Sequence, residues 1–101
     1  MIQADLFDQD EGEITHNLAR LVYEFYGFNS RILAGDIISA KAALPLAAKV
    51  CRDYSRDLSK CGALGVEISP FVSAGGFVGV LYSYRFNGRI KTLSVTPRPM
   101  E

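Results

Sequence analysis

Tryptophan is absent from this chain of 101 residues, histidine occurs once and cysteine twice. His16, Cys51 and Cys61 cannot make a four-ligand zinc site by themselves. The two cysteines fall within a stretch that predicts one helix, which would hold them about 15 Å apart. A disulfide tolerates roughly 7 Å between Cα atoms, so both are expected as small buried hydrophobes in a reducing compartment. No apolar run is long enough for a membrane-spanning helix. The opening MIQADLFDQDEGE is acidic and lacks the basic-then-apolar order of a signal peptide, so the cytoplasm is the expected location. Also missing are a G-x-S-x-G elbow, a phosphate-cradling glycine loop and a metal-spaced His/Cys set. SAGG (73–76) precedes a strand, where a phosphate loop would open a helix, and reads as a turn. The expectation is a protein that is not an enzyme, with no catalytic residue, no metal and no cofactor.

What is present is ordinary globular composition, 49% hydrophobic and 22% charged. It predicts a single domain over 1–101, with 1–12 as an acidic, flexible lead-in. Net charge is zero, but its distribution is uneven. Residues 1–30 carry six acids against one base, and residues 31–101 carry ten bases against five acids. Such asymmetry points to a polyanion-facing surface, or to an acidic lead-in ahead of an ordinary domain.

Helical spacing of Ile14, Leu18, Leu21, Val22 and Phe25 predicts a first helix over about 13–26, with Asp10 as N-cap and Gly27 as its C-terminal stop. His16, Arg20 and Glu24 share its opposite face. A short extended piece follows at 31–33, then a short helix at 34–42 with Asp36 as N-cap. Pro45 is expected to end that helix and open a longer one running to Lys60, capped by Gly62. Ala47, Cys51, Tyr54, Leu58 and Cys61 form the buried stripe of this third helix. Beyond Gly62 the period becomes two, predicting strands at 64–68, 77–86 and 89–96.

Asn87-Gly88 is a strong two-residue hairpin signal. It fixes a register: Phe86 opposite Arg89, Tyr84 opposite Lys91, Tyr82 opposite Leu93, Val80 opposite Val95. At Val80 and Val95 that face must be buried. Toward the tip it becomes aromatic and basic. Ser83, Thr92, Ser94 and Thr96 occupy the other, solvated face. The fold class is therefore α+β: three helices followed by a three-stranded antiparallel sheet with a C-terminal hairpin.

This order resembles that of a winged helix-turn-helix domain. The resemblance is carried by AGDIISAKAALPLAAKVCRDYSRDLSKCGAL (34–64) and by NGRIKTLSVTP. Ala40, Leu44 and Leu46 look like the apolar positions around the family's inter-helix turn, and Cys51 and Leu58 like the inward positions of its recognition helix. Pro45 stands where the turn usually has glycine, and Ser55 where a buried aliphatic is usual. The resemblance implies DNA binding by the third helix and the wing.

Two sets of residues could carry such binding. Lys49, Arg52, Arg56 and Lys60 form one stripe along the third helix, partly offset by Asp53 and Asp57. At the hairpin tip, Arg85, Arg89 and Lys91 lie beside Tyr84 and Phe86, a combination suited to phosphate contact and base stacking. The expected partner is nucleic acid, with duplex DNA first and homodimerisation possible. The alternative is a protein-binding module, an adaptor or an inhibitor of a larger complex, that uses the aromatic-basic hairpin face.

Overall fold

The structure, a computed structural model, describes residues 2–99. It is α+β: α1 (Ile2–Ala34), α2 (Ala40–Lys60), then β1 (Leu64–Val72), β2 (Val78–Phe86) and β3 (Arg89–Val95). The strands form one antiparallel sheet in the order β1-β2-β3. Both helices pack on one face of it, and no described element covers the other face.

The helix count is two, where the sequence predicts three. Gly27 does not stop α1, because the buried stripe continues past it through Phe28, Asn29 and Ile32 at helical spacing. Packing along that stripe outweighs the roughly 1 kcal/mol that a helical glycine costs. The stop comes at Gly35, whose φ of +86° is the left-handed conformation that glycine adopts freely. There Gly35 N–H donates to Ile32 C=O and Asp36 N–H to Arg31 C=O, which closes the last turn. The extended piece expected at 31–33 is thus the end of α1. Residues 2–12 of the expected lead-in are helical as the start of α1, so the position expected as an N-cap, Asp10, falls inside the helix, and its side chain lies outside the described residues.

Pro45 likewise does not divide a helix. Ser39, not Asp36, caps α2: its hydroxyl accepts from Ala42 N–H at 3.1 Å. Pro45 then sits in the second turn on the exposed side, where the carbonyl it leaves without a helical partner belongs to exposed Lys41. Ala40, Ala43, Ala47, Cys51, Tyr54 and Leu58 bury the opposite side. With no break at Pro45, the turn expected between a second and a third helix is replaced by continuous helix. Gly62 ends α2 as expected, at φ +99°, with Ala63 N–H reaching Leu58 C=O.

The hairpin register is the one its turn predicts, from Val80 opposite Val95 to Phe86 opposite Arg89. Asn87 and Gly88 both have positive φ, the requirement of the tight turn matched to strand twist. β1 extends to Val72, further than the period predicts, and carries a bulge between Leu64 and Glu67. The core lies between sheet and helices: Ile14, Leu18, Leu21, Phe25 and Phe28 of α1 meet Val78, Val80, Tyr84 and Phe86 of β2, with the α2 stripe beside them.

On the uncovered face the ring of Phe71 lies across Gly79. A Cβ there would come within 2.3 Å of the ring and 2.5 Å of the Thr96 hydroxyl. Gly79→Ala should therefore destabilise by about 1 kcal/mol as the ring is pushed off. Chemical denaturation measures this, and an unchanged midpoint would mean the ring does not hold that position.

Candidate polyanion interface

α2 turns Lys49, Arg52, Arg56 and Lys60 away from its buried stripe, and all are exposed. Because the helix is uninterrupted, these bases stand on one rigid rod, with Lys49 and Lys60 about 16 Å apart along it. Asp53 sits among them. Its carboxylate takes Lys49 Nζ at 3.5 Å and Arg56 Nη2 at 3.2 Å. These pairs are solvent-exposed, so they contribute little to stability. Among the described residues, Arg52 and Lys60 have no ion-pair partner. The chain balances eleven bases against eleven acids, and residues 31–101 carry ten of the bases against five of the acids.

The hairpin tip does not hold together as the second site. Tyr84 and Phe86 point under the helices and are 3% and 6% exposed, so neither ring can stack on a base. Both rings join the core cluster that holds Ile14 and Leu18 of α1 and Leu58 of α2. Lys91 shares their face, and its ammonium is taken by the Glu11 carboxylate of α1. That contact raises the Lys91 pKa above its ordinary value, with the Tyr84 hydroxyl adding to it. Arg85 points the other way, onto the uncovered face beside Leu64 and Ile90. Arg89 is exposed at the turn. Of the tip bases singled out in the sequence, Arg85 and Arg89 have no ion-pair partner among the described residues, and they sit on opposite faces.

Between the helices runs an open groove of about 370 Å³, lined by His16, Ala19, Arg20, Tyr23, Glu24 and Tyr54. Burial, then the nearby Glu24 carboxylate, pushes the Tyr54 hydroxyl above its ordinary pKa. Arg20 and Glu24 were legible as one face of the first helix, but nothing local marks Tyr54 as their neighbour. Among the described residues no cluster of His, Cys, Asp or Glu could hold a metal ion. No described helix is long and apolar enough to cross a membrane.

The Cys51 thiol is pushed by burial to about 11, against an ordinary value of 9.0. Burial also raises Tyr82 and Tyr84. These groups, with Tyr54 and Lys91, hold their protons more tightly folded than unfolded. The stability this contributes is complete below the unfolded values and is lost as pH rises through the folded ones. For Cys51 the window runs from 9.0 to about 11, and the tyrosines extend it upward. The melting temperature should be flat from neutral pH to 9 and fall beyond it. A flat profile to pH 11 would contradict this.

Compared with family models, with curated proteins and with solved structures, the chain matches none.

Proposed function

We propose that this protein binds nucleic acid, duplex DNA first, through phosphate contacts from the outer face of α2. The observation that carries the reading is the exposed stripe Lys49, Arg52, Arg56 and Lys60, set on a single helix directly opposite its buried side. The ten bases against five acids of residues 31–101 support it. A helix-turn-helix crossing and an aromatic wing form no part of this mode. Binding is therefore expected to be electrostatic and weakly selective for sequence, because phosphate contacts position a protein without reading bases.

Equilibrium binding to a mixed-sequence duplex tests it. If the stripe neutralises about four phosphates, affinity should fall roughly 100-fold as salt rises fourfold. Absence of binding at low salt would reject the reading.

The second reading is a protein-binding module. It is favoured by the uncovered sheet face, where Leu64, Leu81 and Ile90 stand exposed around Arg85. Duplex affinity that is absent at low salt would leave this one standing.

A further inference from the structure

We infer that β3 pairs with β3 of a second copy, antiparallel across a two-fold axis through Thr92, and joins two sheets into one. The inference stands independently of nucleic-acid binding.

The turn at Asn87-Gly88 makes Phe86 and Arg89 a pair that exchanges both backbone hydrogen bonds. Alternation then aims the amides of Lys91, Leu93 and Val95 at β2. Those of Ile90, Thr92 and Ser94 aim outward from the sheet, where no described strand meets them. Every residue from Arg89 to Ser94 is exposed, Ile90 at 72% and Leu93 at 49%. The described residues beyond β3, 96–99, do not cover this edge. They cross the end of the sheet, where Arg98 lies 5.6 Å from the Phe77 ring.

The two edges of the sheet are unlike. On β1 the alternation places Pro70 at an outward position, where it offers no N–H, and the bulge after Leu64 interrupts the ladder. β3 contains neither device. One blunt edge and one open edge predict a closed dimer, not a growing ribbon.

Charge excludes the registers nearer the turn, and an axis through Thr92, the midpoint of β3, overlaps the two strands fully. An axis through Thr92 sets Thr92 against Thr92, Ile90 against the partner's Ser94, Lys91 against the partner's Leu93 and Arg89 against the partner's Val95. The rungs formed by Ile90, Thr92 and Ser94 are then the ones whose free amides can bond. No base faces a base. An axis through Lys91 would set Lys91 against itself, and a shift one residue further toward the turn would set Lys91 against Arg89; like charges directly opposite are destabilising.

Amide hydrogen exchange on the full chain reads this directly, together with light scattering. At high micromolar concentration the wild type should be a dimer, with Ile90, Thr92 and Ser94 as protected as Lys91 and Leu93. On dilution, protection of the outward set should fall. Thr92→Pro removes an outward N–H and the exposed hydrogen bond that the Thr92 hydroxyl donates to Ser83 Oγ at 3.1 Å, but no ladder bond to β2, so it should keep the far-UV circular dichroism and be monomeric. A wild type that stays monomeric with alternating protection would overturn the inference. So would a folded Thr92→Pro variant that remains dimeric. If that variant does not fold, the exchange pattern of the wild type decides alone. Loss of duplex binding with this dimer intact would count against the α2 reading only.

Discussion

Asn29→Ala is expected to cost about 3 kcal/mol, because two buried backbone groups and a partly buried one lose their partners together. Asn29 is fully buried in α1. Its Nδ2 donates to Val78 C=O at 2.9 Å and to Pro97 C=O at 2.6 Å, and its Oδ1 accepts from Val78 N–H at 2.8 Å. The reason for this arrangement lies in the ladder. Continuing the β2–β3 register past Val80 and Val95 brings Val78 opposite Pro97, which has no N–H to give. The Asn29 carboxamide supplies both a donor and an acceptor at that rung and ties α1 to the end of the sheet. A domain of this size has only about 5–15 kcal/mol in total, so the loss is a large share. Asn29→Asp should be worse than alanine at neutral pH, because its carboxylate would face two carbonyl oxygens. It should recover part of the loss in acid, once a protonated carboxyl can donate. Urea denaturation of the two variants at pH 7 and pH 4 measures both effects. Alanine and aspartate variants as stable as wild type would mean that the carboxamide is not the tie.

The second large effect concerns the face of α2. Arg52→Glu with Arg56→Glu should lower duplex affinity at least 10-fold at low salt, since each phosphate contact removed takes its share of counterion release. Both side chains are exposed, so stability should move by less than about 0.5 kcal/mol per site. Asp53→Asn should do the opposite. It frees Lys49 and Arg56 from the carboxylate that now holds them, and affinity should rise. Anisotropy with a labelled duplex reads both. A double reversal without effect would remove α2 from the interface. The two predictions act on separate parts of the molecule: Asn29 sits in the core between α1 and the sheet, and the α2 bases face water.

What could be read locally was legible in the sequence. Asn87-Gly88 set the hairpin register because a two-residue turn admits few geometries and both residues tolerate positive φ. Gly62 marked the end of α2 for the same reason. The candidate stripe on α2 was legible because its spacing needs only the helix to exist. Features decided by tertiary packing were not. Gly27 looks like a stop, yet Phe28 and Ile32 find a sheet to bury against, and α1 runs on to Gly35. Pro45 looks like a boundary, yet it falls on the side of α2 where a lost hydrogen bond reaches water. Tyr84 and Phe86 look like an exposed tip, and the alternation alone could not say that the helices pack over them. Asn29 gave no local signal, because its partners lie 49 and 68 residues away.

Whether the outer face of α2 binds duplex DNA through its phosphates is decided by the salt slope. Log affinity for a mixed-sequence duplex should fall linearly with log salt, with a slope of about −3.6 for the wild type and about half that for the Arg52→Glu, Arg56→Glu variant. Equal slopes for the two proteins, or no measurable duplex affinity for the wild type at low salt, would contradict such binding.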